Sequence, residues 1–178
     1  MENNWKTWPN LITVLGILGI GVYVWAYLNN VGPLVFPLIV FVGLTDFFDG
    51  VLARRTGQVS RLGAILDPIR DKLALAAILG NIAYLYKVGQ VLIPVALLVL
   101  FEIGASTVVL SRKDPQLPNT AGKVRGFSHF TAAAIIVFSS YHLRFLGIKG
   151  VTIIVSAMAA FSIAAFVGYI LFPKKASA

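Results

Sequence analysis

The sequence DFFDGVLARRTGQVSRLGAILDPIRDKL, residues 46–73, contains four of the five aspartates of this chain and five of its fifteen lysines and arginines. The remainder is poor in charge. Of all 178 residues, 58% are hydrophobic and only 12% are charged, whereas a soluble domain has about 25% charged residues. Because so much apolar surface exceeds what one soluble core can bury, the composition predicts a membrane protein.

Six apolar segments can be recognised, each close to the roughly 20 residues that a helix needs to cross a bilayer. They lie at about 9–28, 33–53, 63–86, 90–110, 127–143 and 150–172. The segments are continuously apolar and do not alternate, which favours helices over the strands of a barrel. We expect the first segment to be a membrane span and not a cleaved signal peptide, since it lacks a strongly basic leader. The predicted fold is an all-α membrane protein with six transmembrane helices in a single domain over residues 1–178.

The distribution of cations predicts the orientation of these helices. Six spans place both termini on one side, and twelve of the fifteen lysines and arginines fall on that side. The positive-inside rule therefore assigns the termini and the acidic stretch to the cytoplasmic face of the cell membrane. The net charge of +8 also suits an anionic leaflet or phosphate-bearing ligands. Residues 1–10, with two tryptophans beside a lysine, predict a short interfacial helix.

The four aspartates between positions 46 and 73 fall on two helical faces. On the second predicted helix, the face comprises Asp46, Asp49, Gly50, Ala53 and Arg54. On the third, it comprises Gly63, Asp67 and Asp71. The offsets within each set are those of side chains on one side of a helix. Because a short turn makes the two helices antiparallel neighbours, we expect the four aspartates to face one another.

Four carboxylates within predicted membrane helices are costly unless they face a polar cavity, so they indicate a functional site. The chain has no cysteine, and hard oxygen ligands suit Mg²⁺, Mn²⁺ or Ca²⁺. Four carboxylates could hold two ions bridged by the phosphates of a substrate. The structural alternative is that the aspartates only connect helices, by pairing with Arg54, Arg55, Arg70 and Lys72.

The pattern Asp46-x2-Asp49-Gly50-x2-Ala53-Arg54-x8-Gly63-x3-Asp67-x3-Asp71 resembles the signature of the CDP-alcohol phosphotransferase family at all eight fixed positions. Eight residues at fixed offsets form a specific motif. The resemblance implies a six-helix membrane enzyme that transfers a phosphate-containing group from a CDP-linked donor to an alcohol and releases CMP. It also implies a site with two divalent ions, Mg²⁺ or Mn²⁺, and a homodimer.

The resemblance also implies roles for single residues. The metal ligands would be Asp46, Asp49, Asp67 and Asp71, and the last of these would also be the general base for the acceptor hydroxyl. The CDP pocket would be shaped by Gly50, Ala53, Arg54 and Gly63. Asn10 and Thr13, at the cytoplasmic end of the first helix, are further candidates for contact with the nucleotide.

The sequence LDPIRDKL, residues 66–73, resembles the branch of phosphatidylglycerophosphate and cardiolipin synthases, which tends to read Leu-Asp-Pro-x-Ala-Asp-Lys. Two residues near the motif depart from that branch: Arg70 replaces a small residue, and Gly16 replaces an arginine expected after PNLIT. AGKVRG, residues 121–126, resembles the branch's Gly-Lys-x-Lys-Thr, with Arg125 and Gly126 in the last two places.

A phosphorylated acceptor fits the cations of the two predicted cytoplasmic loops. The candidates for binding its phosphate are Lys123, Arg125, Arg61 and Arg112. The positive-inside rule alone would also place cations in these loops. We therefore predict transfer of a phosphatidyl group from CDP-diacylglycerol to glycerol 3-phosphate, with membrane lipid as surroundings and no nucleic-acid partner. The alternatives are cardiolipin synthesis or an inositol-phosphate acceptor within the family, and a divalent-cation transporter outside it.

Three other polar residues lie within the predicted helices. Glu102 either supports the site indirectly or bonds to a neighbouring helix. His129 and His142 have no acidic or histidine partner at the spacing of metal ligands, so we interpret both as polar packing residues.

Overall fold

The computed structural model describes residues 8–56, 61–110 and 120–171, and the regular structure in these ranges is entirely helical. The helices are α1 (Trp8–Leu28), α2 (Gly32–Thr56), α3 (Arg61–Leu85), α4 (Gly89–Leu110), α5 (Thr120–Phe138) and α6 (Ile148–Leu171). A five-residue π-helix, Ser139–Leu143, follows α5 directly. The all-α prediction is confirmed. The predicted interfacial helix stays a prediction, because residues 1–7 lie outside the described ranges.

Among the helices that the structure describes, three contain a segment long and apolar enough to cross a membrane. These segments are Asn10–Leu28, Gly32–Asp49 and Ile148–Gly168, with mean hydropathies of 2.1, 1.6 and 2.2. The apolar segment of α4, Gly89–Gly104, is shorter. Large apolar side chains are exposed on all three of these helices, as a lipid environment permits. Length, composition and exposure therefore indicate a membrane protein.

The described residues form two compact units. The first comprises the described residues up to Asn81 together with Ser140–Leu143, and so contains α1, α2 and most of α3. The second comprises Ile82–Ser139 and the described residues from Arg144 onward, and so contains α4, α5 and α6.

Helices α1 and α2 of the first unit pack closely because glycine lies between them. A Cβ atom at Gly19 would lie 2.9 Å from the ring of Phe41, which leaves no room for a larger residue. Next to this contact, Ile20, Val42 and Ala74 form a buried apolar cluster that joins α1, α2 and α3. The cluster fixes the lateral arrangement of the three helices that carry the acidic motif and its neighbours.

A buried amide connects three elements of the first unit. Asn81 on α3 donates from Nδ2 to the hydroxyl of Tyr23 on α1, at 2.7 Å. Its Oδ1 accepts a bond from the hydroxyl of Tyr141 in the π-helix, at 3.0 Å. Asn81 is fully buried, so its polar side-chain atoms need protein partners, and these two hydrogen bonds provide them.

We expect Asn81→Ala to lower the free energy of unfolding by about 1–2 kcal/mol, since polar contacts between membrane helices contribute on this scale. Thermal unfolding in detergent would measure the loss. Asn29→Ala is the control, because Asn29 is exposed and bonds only within its own turn, to the carbonyl of Trp25. Equal unfolding temperatures for the two variants would contradict a connecting role for Asn81.

A second buried polar cluster joins the helices of the second unit. Ser162 on α6 donates to Glu102 Oε1 on α4 at 2.8 Å, and its hydroxyl lies 3.3 Å from His129 Nε2 on α5. The same histidine nitrogen lies 3.0 Å from the carbonyl oxygen of Met158. Glu102 therefore bonds to a neighbouring helix, which was one of its two predicted roles, and His129 is a packing residue. Ser162 is fully buried, so the cluster connects the helices of this unit.

Candidate active site

Three of the four motif aspartates converge on one guanidinium group. Asp46 and Asp49 lie near the end of α2, and Asp71 follows Arg70 on α3. Arg70 Nη1 contacts Asp49 Oδ2, and Nη2 contacts Asp46 Oδ1. Nη2 also lies 3.4 Å from Asp71 Oδ1. The predicted approach of the acidic faces of α2 and α3 is thus found for the three aspartates whose side chains are described.

The three carboxylates differ in their access to the surroundings. Asp49 is only 5% exposed, and it accepts a hydrogen bond from Thr13 Oγ1 at 3.0 Å in addition to its contact with Arg70. Asp46 and Asp71 are 55% and 62% exposed. Asp49 is therefore held in place by protein groups, whereas the other two carboxylates can be reached by a ligand.

Helix α1 contributes a polar side chain that borders Asp49. Thr13 is 1% exposed, and Asn10, three residues earlier on the same helix, is also buried. The hydroxyl of Thr13 is directed at Asp49, so this residue orients a carboxylate. Contact of Asn10 or Thr13 with a nucleotide stays a prediction.

Arg70 is a central residue of the site that the motif does not include. Its side chain is 1% exposed, and its path is lined by α1, since a Cβ atom at Gly16 would lie 3.1 Å from Arg70 Cδ and 2.8 Å from Thr45 Oγ1. Gly16 and Arg70 are the two departures noted near the motif, and they are in contact. That coincidence was the signal in the sequence that could have pointed to their pairing.

The side chains of the remaining predicted site residues lie outside the described part of the structure. The backbone positions of most of them lie in α2, α3 and α5. These residues are Gly50, Ala53, Arg54, Arg61, Gly63, Asp67, Lys123 and Arg125. Arg112 lies wholly outside the described ranges.

The donor chemistry of the site suits a divalent ion, since carboxylate oxygens are the ligands that Mg²⁺ and Mn²⁺ prefer. Among the residues that the structure describes, however, no three carboxylate or imidazole side chains form a group able to hold a metal. The guanidinium of Arg70 lies among Asp46, Asp49 and Asp71. A metal ion would have to take oxygens that Arg70 now contacts, and the fourth aspartate of the motif, Asp67, would complete the set.

Comparison with known proteins identifies the family of this chain. The family model of CDP-alcohol phosphatidyltransferases matches residues 6–170, which include the motif and every helix up to α6. The chain belongs to the CDP-alcohol phosphatidyltransferase family. Members of this family generally depend on a divalent metal, which is consistent with the carboxylate donors of α2 and α3.

Individual relatives within the family carry one name, CDP-diacylglycerol--glycerol-3-phosphate 3-phosphatidyltransferase. A protein from Pectobacterium atrosepticum is 42% identical over 98 residues, which are 53% of this chain and 54% of the relative. One from Yersinia enterocolitica is 40% identical over 111 residues, 61% of this chain and 59% of the relative. One from Blochmanniella floridana is 39% identical over 77 residues, 43% of this chain and 40% of the relative. The chain thus matches between 40% and 59% of the length of these relatives.

Proposed function

We propose that this protein is a membrane enzyme of phospholipid synthesis that transfers a phosphatidyl group from CDP-diacylglycerol to glycerol 3-phosphate and releases CMP. The observation that carries the proposal is the convergence of aspartates from α2 and α3 at one point, in a chain whose motif has all eight residues of the family signature. The names of its relatives favour glycerol 3-phosphate as the acceptor.

In the proposed reaction, the acceptor hydroxyl oxygen bonds to the phosphorus of the phosphatidyl group. The bond between that phosphorus and the bridging oxygen of CMP breaks, and CMP leaves with the electron pair. Asp71 takes the hydroxyl proton as general base. Its exposure of 62% supports this role, because a base must reach the substrate. The CDP pocket would be formed by Gly50, Ala53, Arg54 and Gly63, with Asn10 and Thr13.

The metal site that we propose holds two divalent ions, Mg²⁺ or Mn²⁺. Its ligands would be Asp46, Asp49, Asp67 and Asp71. Bound divalent ions neutralise pyrophosphate charge and improve a phosphate leaving group. The contribution of the chain itself is to orient the ligands: Thr13 bonds to Asp49, so one carboxylate of the set is already in a fixed position.

We further propose that residues 1–178 form one domain with six transmembrane helices and that it acts as a homodimer. The continuous family match over residues 6–170 supports a single domain. The excess of cations, twelve against three, supports cytoplasmic termini and an active site on the cytoplasmic face. The three long apolar segments support a multi-pass topology.

The acceptor phosphate would bind to Lys123 and Arg125, with Arg61 and Arg112. We expect Lys123→Ala and Arg125→Ala to raise KM for glycerol 3-phosphate about tenfold or more while KM for CDP-diacylglycerol changes little, since each removes a charge-assisted bond to phosphate. Initial rates of CMP release at varied concentrations of each substrate would measure both constants. Lys149→Ala, which removes a cation from the first turn of α6, is the control. Equal increases in both KM values would argue against an acceptor site here.

The proposed function is tested by incubating the pure full-length protein in detergent with CDP-diacylglycerol, Mn²⁺ or Mg²⁺ and a panel of alcohols. We expect phosphatidylglycerophosphate as the lipid product, in equal amount to CMP, when glycerol 3-phosphate is present. If a lipid product forms only with phosphatidylglycerol or with inositol phosphate, that alcohol is the acceptor in place of glycerol 3-phosphate, and the family chemistry still holds. Metal movement across vesicles without CMP release would instead identify a divalent-cation transporter.

A further inference from the structure

The guanidinium of Arg70 is a permanent charge in a nearly inaccessible position. The side chain is 1% exposed, and an arginine stays protonated in proteins. A buried charge is strongly unfavourable unless it is paired and hydrogen-bonded. Arg70 meets this requirement with Asp46, Asp49 and Asp71. The pairing is therefore needed by the arginine as well as by the acids.

The surroundings of Arg70 are shaped for its side chain. The absence of a side chain at Gly16 leaves the space in which Arg70 Cδ lies, 3.1 Å from where a Cβ atom would be. Thr45 borders the same space, and its hydroxyl donates to the carbonyl oxygen of Val42, at 2.8 Å. The guanidinium is thus directed to the carboxylates by packing from α1 and α2 and does not reach them from solvent.

The carboxylates that Arg70 contacts are three of the four that the proposed metal site would use. Asp46 Oδ1, Asp49 Oδ2 and Asp71 Oδ1 all face the guanidinium. A divalent ion cannot occupy the centre of this group while the guanidinium lies there, because the two cations would fill the same space and repel each other.

We propose that Arg70 is a built-in counterion that competes with divalent metal for the carboxylates of the site. This inference rests on the proposed function, because it takes these aspartates as metal ligands. Arg70 is a positioning residue: it neutralises the acids and keeps them together before metal arrives, and it must move off at least two of them for metal to bind. The intrinsic affinity of the aspartates for metal is therefore higher than the affinity that the whole protein displays.

The test is direct measurement of Mn²⁺ binding to the purified full-length protein in detergent, by the electron paramagnetic resonance signal of free Mn²⁺. Arg70→Gln and Arg70→Ala should both lower the Kd for Mn²⁺ at least tenfold. Two variants are needed because either could fold poorly with three acids left without their counterion. Arg144→Gln is the matched control. It removes the same charge from an exposed arginine and should leave the Kd unchanged.

Each possible result of the Mn²⁺ titrations either supports or contradicts the proposed competition. Tighter binding in both Arg70 variants and not in Arg144→Gln supports the competition. An unchanged or higher Kd in a folded Arg70 variant, beside measurable binding by the unmodified protein, overturns the inference and leaves the proposed metal site intact. Failure of all the proteins to bind Mn²⁺ overturns the metal site and the inference with it. Loss of binding in Asp46→Asn would confirm that the measured ion occupies this site.

Discussion

Asp71→Asn should reduce CMP release by about 100- to 10,000-fold, the range that a general base contributes to proton transfer. An amide keeps the size of the side chain but cannot accept the hydroxyl proton. Because Asp71 is 62% exposed and its contact with Arg70 is long, at 3.4 Å, the substitution should change the free energy of folding little. The variant should therefore fold and elute from a sizing column as the unmodified protein does.

The chain offers a matched control in Asp114→Asn, the same chemical change at the one aspartate outside the motif. We expect that variant to retain its rate. Asp49→Asn provides a contrast, because Asp49 is buried and bonded to both Thr13 and Arg70. It should lower the unfolding temperature as well as the rate. Near-normal turnover by a folded Asp71→Asn protein would refute the assignment of the base.

Much of this arrangement could be predicted because it depends on local periodicity. The apolar segments determine where helices form, and each predicted helix overlaps an observed one. The offsets of Asp46, Asp49 and Asp71 predict two acidic faces, and a short turn brings those faces together. Each of these steps uses only the regular geometry of a helix and the length of a connection, so one sequence is sufficient.

The pairing of Arg70 could not be predicted with the same certainty. The sequence presents four cations near the aspartates, namely Arg54, Arg55, Arg70 and Lys72, and helical offsets alone do not determine which of them lies in the gap. That choice depends on space provided by Gly16, which is 54 positions away and on another helix. The same limit applies to Glu102 and Ser162, whose hydrogen bond depends on how α4 and α6 pack.

The structural alternative considered for the aspartates is therefore not opposed to the functional one. Arg70 does pair with the acids and connect α2 with α3. Two of the same acids nevertheless stay more than half exposed, which a purely structural ion pair does not require. Ion pairing explains how carboxylates are tolerated at this position. The exposure of Asp46 and Asp71 leaves them accessible to a ligand.

A double-mutant cycle between Gly16 and Arg70 should give a large coupling energy. Gly16→Arg alone is expected to be strongly destabilising and inactive, since its first side-chain atom would already lie 2.8 Å from Thr45 Oγ1 and 3.1 Å from Arg70 Cδ. It would also bring a second cation to the same carboxylates. Arg70→Ala alone is expected to leave three acids without their counterion and to lower stability.

The double variant Gly16→Arg with Arg70→Ala should recover part of the stability that each single change loses. The new arginine would extend from α1 into the space that the side chain of Arg70, on α3, no longer fills. We expect a coupling of about 1–3 kcal/mol in the free energy of unfolding, the range for residues in direct contact. Thermal unfolding in detergent would measure the four proteins of the cycle, and CMP release would show whether the transferred guanidinium also serves the site.

The matched cycle replaces Gly21, also on α1, where a Cβ atom would meet nothing within 4 Å. Gly21→Arg and Arg70→Ala share no contact, so their effects should add to within about 0.5 kcal/mol. If the effects of Gly16→Arg and Arg70→Ala were equally additive, the absence of a side chain at Gly16 would not be what makes room for Arg70. The arginine would then be held at the carboxylates by charge alone, and a cation at another position of α3 should replace it equally well.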